Sequence, residues 1–173
     1  MARPPADASK VYELLAALGE VESSPATVYL IGGTTAVVVG WRNTTLDVDL
    51  RLEPESDSLL RAIPALKERL HVNIEFASPL DFLPELPGWR DRSPFVEQIG
   101  SLTVRHLDLY SQALAKLERG FAQDLADVRA MVDRGFVDPA ELARLFEDVA
   151  DELYRFPAVD ANRLRSEVNR LGG

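Results

Sequence analysis

The chain has no cysteine. This absence excludes disulfide bonds, thiolate metal ligands and a cysteine nucleophile. Long apolar runs are missing too: the longest, Ala36–Val39, is far too short to span a bilayer, and the first residues lack the apolar region of a signal peptide. Only two histidines occur, His71 and His106, which we interpret as strand-end residues and not as a zinc site. Together these absences predict a cytoplasmic protein with no membrane partner.

Basic charge is also scarce. The chain carries 19 lysine and arginine residues against 28 aspartate and glutamate residues, giving a net charge of −9. The acidic residues are spread through both halves, and there is no basic tail. A general electrostatic attraction to nucleic acid is therefore not expected. A local basic path to one RNA end remains open, as does a bound cation that reverses the local charge.

Hydrophobic periodicity predicts helices and strands in the first 106 residues. The predicted helices cover residues 9–19, 34–39 and 59–70, and the predicted strands cover 27–31, 46–51, 72–76, 95–99 and 102–106. Gly19 is the expected stop of the first helix, and Pro64 is expected to kink or restart the third. Gly100-Ser101 indicates a hairpin turn between the last two strands.

The proline-rich segment 78–94 is predicted to be a long loop. It contains Trp89, Arg90 and Arg92, the most basic aromatic patch of the chain. This patch would either line a nucleotide or acceptor path by stacking and charge, or simply anchor the loop through Trp89.

From Leu107 onward the pattern is helical. Gly120 and Gly135 end two apolar stripes, and Asp138-Pro139-Ala140-Glu141 is a typical helix start. We therefore predict an α+β fold with a mixed sheet flanked by helices in residues 1–106. Residues 107–173 are predicted to form a C-terminal helical bundle packed on that core. Residues 136–173 carry no motif that indicates a role.

Two short motifs point to chemistry. Asp47 and Asp49 lie two apart on a predicted strand, so their carboxylates leave the same face and can meet at one cation such as Mg²⁺. Upstream, Gly32-Gly33-Thr34 follows a strand, where glycine allows close approach of a phosphate. Each motif also has a plain structural interpretation: a solvated strand face paired with Arg42 or Arg51, and an ordinary tight turn.

The combination of strand, Gly-Gly-Thr, short helix and Asp-x-Asp strand resembles the nucleotidyltransferase superfamily, which has the polymerase-β-like fold. The resemblance implies an enzyme that transfers a nucleoside monophosphate from a nucleoside triphosphate (NTP) to an acceptor hydroxyl with Mg²⁺ or Mn²⁺. It also implies a third carboxylate from a neighbouring strand. Glu75 is the candidate, although an exposed glutamate on an edge strand is the alternative.

A second motif, Lys116 followed by Asp124-Leu125-Ala126-Asp127, resembles the AbiEii/MenT-type toxin nucleotidyltransferases and their stand-alone relatives. Gln123 departs from that pattern, which often has Arg or Lys before the first aspartate. The resemblance implies an RNA acceptor, such as a tRNA 3′ end, and a cognate antitoxin as partner. The alternative is a surface salt-bridge lattice with Arg119 and Arg129.

The resemblance assigns the candidate site as a whole. It implies catalytic roles for Asp47, Asp49, Lys116 and Asp124, metal binding by Asp47, Asp49 and Glu75, and nucleotide binding by Gly32, Gly33, Thr34, Thr45, Lys116 and Asp127. Because a fold does not guarantee activity, the rival hypothesis is a non-catalytic module that acts as an antitoxin or binds a partner.

Overall fold

The computed structural model describes residues 2–173, which divide into two compact units. Unit 1 contains residues 2–78 and 94–106, and unit 2 contains residues 79–93 and 107–173. In the described part of the chain, none of the helices has both the length and the apolar character needed to cross a membrane.

Unit 1 is built on a mixed sheet. Its strands are β1 (Ala26–Ile31), β2 (Asp47–Glu53), β3 (Asn73–Glu75), β4 (Phe95–Ile99) and β5 (Leu102–His106). They lie in the order β3-β2-β1-β5-β4. β1 is antiparallel to β2 and parallel to β5, whereas β2 is parallel to β3, and β4 and β5 form the predicted hairpin.

Alternation along β2 decides which side chains reach the core. Val48, Leu50 and Leu52 are buried, while the charged residues between them are half-buried on the opposite face. Leu46, expected on the apolar face, lies before β2 and is 69% exposed. The buried face packs with helices α1 (Ala8–Val21) and α3 (Asp57–Leu70), which contact each other.

A short helix, α2 (Gly33–Val39), follows β1 directly. Its valines have strand propensity, but the turn at Gly32 starts a helix, and Ala36 and Val37 are buried. The predicted short helix is confirmed.

Three local features differ from the predictions. Helix α1 does not stop at Gly19 but continues to Val21, because this glycine is a close-packing position: a Cβ there would lie 2.6 Å from Ile99 Cγ2. Helix α3 does not restart at Pro64, which lies inside the unbroken helix, and the alternative of a kink there stays a prediction. His71 does not end a strand: it caps α3 in the left-handed region, with φ of 52°.

Unit 2 is helical. Its helices are α4 (Trp89–Arg92), α5 (Leu109–Arg119), α6 (Ala122–Asp133), α7 (Pro139–Val149) and α8 (Ala161–Leu171), with 3₁₀ turns at Pro79–Asp81 and Ala150–Arg155. The segment predicted as a long loop therefore contains α4 and a 3₁₀ turn. The aspartates before α5, α7 and α8 accept hydrogen bonds from the first-turn amides, so they start these helices as N-caps. The α+β fold class is confirmed.

Candidate functional site

The carboxylates of Asp47 and Asp49 lie on one face of β2, as predicted. Both residues are half-buried. In the sheet register, Asp49 is opposite Ile31 of β1 and opposite Glu75 of β3, so Glu75 belongs to the same face, where it is exposed. Residues 2–173 nevertheless contain no group of three or more His, Asp or Glu residues arranged to hold a metal. Metal binding by Glu75 therefore stays a prediction.

The glycine turn lies directly against this acidic strand. The Asp49 amide donates a hydrogen bond to Thr34 Oγ1 at 2.9 Å. Gly32 has φ of 60°, a conformation that side chains rarely adopt, and a Cβ there would lie 3.2 Å from Asp49 Oδ2. Glycine therefore leaves space beside the carboxylate.

Thr45 closes the other side of the turn. Its backbone forms a bridge with Ala6, and its hydroxyl donates to the Asp47 carbonyl at 3.0 Å. A Cβ on Gly33 would lie only 2.2 Å from Thr45 Oγ1, so no larger residue fits at position 33 without displacing Thr45. Gly32, Thr34 and Thr45 thus lie directly against the acidic strand β2.

Arg42 is a site residue that sequence reasoning missed, because it was considered only as a salt-bridge partner of the acidic strand. Its Nη1 lies 3.2 Å from the position that a Gly33 Cβ would occupy. The guanidinium therefore brings positive charge to the glycine turn. Its place in sequence, between the turn and Thr45, was the available signal.

His106, interpreted from the sequence as a strand-end residue, does end β5, but its side chain is buried. Its Nδ1 lies 3.1 Å from Thr35 Oγ1 in the first turn of α2. Burial lowers the pKa of His106 to about 4, because a buried imidazolium would lose its hydration. The imidazole is therefore neutral at pH 7.

The second motif forms a buried ionic network in unit 2. Lys116 Nζ lies 2.7 Å from Asp127 Oδ2 and 3.7 Å from Asp124 Oδ1, and all three residues are buried. Gln123, at the position that departs from the toxin pattern, donates to Asp127 Oδ1 at 3.2 Å. Arg119 donates to Asp124 Oδ2 through Nε at 2.8 Å. The alternative of a surface salt-bridge lattice included this Arg119 pair, but the Asp124 carboxylate is buried and not at the surface.

Asp124 is ionised in this network. Burial acts to raise the pKa of Asp124, but the hydrogen bonds and charge of Arg119 more than offset it. The charge of Lys116 and the amide of Phe121 act in the same direction, so the pKa lies below its ordinary value. Asp124 therefore carries a negative charge at neutral pH, and Lys116 Nζ is paired with two buried carboxylates inside unit 2.

A family comparison bears on both motifs. The family described as a nucleotidyltransferase of unknown function (DUF6036) matches residues 9–168. The chain belongs to this nucleotidyltransferase family. No curated protein and no solved structure matches the chain. Membership supports the superfamily resemblance, whereas the narrower resemblance to the toxin branch stays a prediction.

Membership of a nucleotidyltransferase family implies a divalent metal, and the donor set of unit 1 fits one. Two carboxylates share a face of β2, and the missing side chain at Gly32 leaves room beside Asp49 Oδ2. Mg²⁺ is commonly bound by one or two protein carboxylates together with substrate phosphates. The Asp47 and Asp49 pair therefore suits a metal that is also bound by substrate phosphates.

The basic aromatic patch, Trp89, Arg90 and Arg92, anchors the segment 78–94 of this family member. Trp89 is only 3% exposed, and the Arg90 guanidinium stacks over its ring with 4.3 Å to the centroid. Arg92 pairs with the buried Asp108, with Nη2 2.7 Å from Oδ2. These contacts favour the loop-anchoring interpretation over a stacking platform.

Proposed function

We propose that the chain is an Mg²⁺-dependent nucleotidyltransferase, with Mn²⁺ as a substitute, that moves a nucleoside monophosphate from an NTP to an acceptor hydroxyl. The contact between the glycine turn and β2 carries this proposal. The space that Gly32 leaves lies beside the Asp49 carboxylate, where a phosphate could meet a metal held by Asp47 and Asp49.

Four residues of unit 1 have a definite task in this proposal. Asp47 and Asp49 would hold the metal, which would supply positive charge to the phosphates and lower the pKa of the attacking hydroxyl. Thr34 and Thr45 fix the backbone of the acidic strand through their hydroxyls. The acceptor oxygen would form a bond to the α-phosphorus as the bond from that phosphorus to the bridging oxygen breaks, so that pyrophosphate leaves and the hydroxyl proton passes to solvent. Catalysis then depends on positioning and charge, because no covalent protein intermediate is needed.

Lys116 is proposed as the cation that neutralises triphosphate charge, and Asp124 and Asp127 as the carboxylates that orient it. The 2.7 Å contact between Lys116 and Asp127 supports the orienting part of this assignment. Because the ammonium is already paired, nucleotide binding by Lys116 would require it to share its hydrogen bonds with a phosphate.

We propose an RNA acceptor, such as a tRNA 3′ end, on the strength of the toxin-like second motif, and a cognate antitoxin as partner. The net charge of −9 argues against broad RNA binding. A toxin-type enzyme of this composition would therefore recognise one RNA end locally instead of coating RNA.

The test is incubation of the protein with each labelled NTP, Mg²⁺, total RNA and total protein. We expect label on one RNA fraction, and we expect Asp49→Asn to lower transfer by at least about 100-fold. The change keeps the side-chain size and leaves the backbone bond to Thr34 in place, so the thermal unfolding transition should be retained. Asp57→Asn, on the exposed start of α3, is the matched control. Transfer retained by Asp49→Asn would contradict the assignment.

A non-catalytic, partner-binding module is the second candidate, because Lys116 is already paired with Asp124 and Asp127 and a fold does not guarantee activity. Calorimetry with Mg²⁺ and a non-hydrolysable NTP separates the two. The enzyme should bind the metal–nucleotide pair, whereas a purely structural module should bind neither and should copurify with an obligate partner.

A further inference from the structure

Two consecutive threonines at the start of α2 form hydrogen bonds to different strands. Thr34 and Thr35 are both fully buried. Thr34 Oγ1 accepts the Asp49 amide from β2, whereas Thr35 Oγ1 donates to the Leu30 carbonyl of β1 at 3.0 Å. The first turn of α2 is thus tied to the acidic strand by one hydroxyl and to the neighbouring strand by the next.

The Thr35 hydroxyl also fixes the hydrogen placement on His106. A hydroxyl has one hydrogen, and at Thr35 it goes to the Leu30 carbonyl, which can only accept. The 3.1 Å contact must therefore be a hydrogen bond from His106 Nδ1–H to Thr35 Oγ1. His106 is opposite Leu30 in the β1–β5 register. The two hydrogen bonds, from His106 to Thr35 and from Thr35 to Leu30, therefore connect the adjacent strands β5 and β1 through the first turn of α2.

We propose that Thr35 and His106 are positioning residues that hold the glycine turn and, through Thr34, the acidic strand at Asp49. The inference rests on the proposed function for its catalytic consequence, but the geometry it asserts is independent of activity. His106 bonds to Thr35, and Thr35 bonds to the Leu30 carbonyl. They act by fixing the helix turn whose Thr34 hydroxyl receives the Asp49 amide.

Because His106 is buried and neutral, its imidazole has a single N–H donor. The imidazole is neutral because burial lowers the pKa of His106 to about 4, so Nδ1–H is its only donor and Thr35 is that donor's partner. A side chain without a donor at position 106, or without a hydroxyl at position 35, leaves a buried polar group without its bond, and such groups are seldom left unpaired in proteins. The turn would then shift to find other partners.

The test compares Thr35→Val and His106→Leu, which remove the hydroxyl or the donor, with Thr35→Ser and His106→Asn, which keep a hydroxyl or an N–H donor near the same place. Amide hydrogen exchange of Asp49 is the primary measurement, and the Val28 amide in β1 is the reference. We expect Asp49 exchange to rise at least about tenfold relative to Val28 in the first pair and to stay near wild type in the second. Equal changes at both amides in Thr35→Val and His106→Leu would show a merely structural role and overturn the proposal.

Activity provides the second measurement. In the labelled-NTP assay, Thr35→Val and His106→Leu should lower kcat by about tenfold or more with KM changed less than threefold, and Thr35→Ser and His106→Asn should restore it. If wild-type protein neither transfers nor binds a metal–nucleotide pair, the proposed function fails while the exchange data still decide the positioning role. If wild type is active and Thr35→Val retains its kcat, the positioning role fails alone.

Discussion

At the residue scale, the imidazole of His106 couples stability to pH. Its pKa is lowered to about 4 by burial, against 6.5 for an ordinary histidine. Between these values the unfolded chain binds a proton that the folded chain does not, so stability is full above pH 6.5 and falls as the pH drops toward 4. The shift corresponds to about 3 kcal/mol of unfolding free energy.

We therefore expect the unfolding free energy of wild type to fall from pH 7 to pH 4.5 more steeply than that of His106→Asn, which cannot titrate. Urea unfolding at several pH values measures both slopes. His71 is exposed and present in both proteins, so it cancels in the comparison. Parallel pH profiles for the two proteins would show that His106 is not a buried neutral group.

Some residues in and around the candidate site could be predicted from the sequence, and others could not. Gly32 and Asp49 were predictable because their chemistry is local: a glycine at a turn and an aspartate on an alternating strand. Thr35 and His106 were hidden because their hydrogen bond joins residues 71 positions apart. Only the β1–β5 pairing brings them together, and strand pairing does not appear in local periodicity.

At the element scale, the packing of α1 against β4 depends on Gly19. Glycine in a helix interior is less favourable than alanine by about 1 kcal/mol, so Gly19→Ala would normally stabilise α1. Here the new Cβ would lie 2.6 Å from Ile99 Cγ2 and 3.2 Å from the Ile99 carbonyl oxygen. Because that methyl is fixed to a β-branched carbon, β4 must move, at a cost of about 1–3 kcal/mol.

We expect Gly19→Ala to lower the unfolding free energy by about 1 kcal/mol, since the overlap outweighs the gain in helix propensity. Ile99→Ala removes the methyl, so the same change made in that background should be neutral or stabilising. A double-mutant cycle in urea measures the coupling. Zero coupling would mean that Gly19 does not touch Ile99.

Element types followed from the sequence, while several boundaries did not. Amphipathic patterns marked α3 and α5 because their buried residues recur at helical spacing. The end of α1 was wrong because Gly19 serves tertiary packing instead of chain termination. The segment predicted as a loop was wrong because prolines mark turns at Pro79 and Pro87 without excluding the single helical turn of α4.

At the scale of the whole molecule, each unit is formed by two separate segments of the chain. The chain passes from one unit to the other three times, after Ser78, Ser93 and His106. Residues 79–93 precede β4 and β5 in sequence but belong with the C-terminal helices, because Arg92 and Ser93 bond to Asp108 at the start of α5. The two units therefore cannot be separated by one cut.

One tryptophan reports on each unit, which makes this organisation measurable. Trp41 belongs to unit 1 and Trp89, only 3% exposed, to unit 2. In a Trp41→Phe background, a chain that ends at His106 lacks α5, the helix that contacts α4 and the Pro79–Asp81 turn. Trp89 should then become exposed, because its segment cannot bury apolar surface without α5.

We expect the Trp89 emission to shift to the red and to be quenched readily by iodide, whereas the full-length Trp41→Phe protein should show a blue, protected emission. An unchanged Trp89 spectrum in the shortened chain would mean that residues 79–93 are packed without α5, which would contradict their assignment to unit 2.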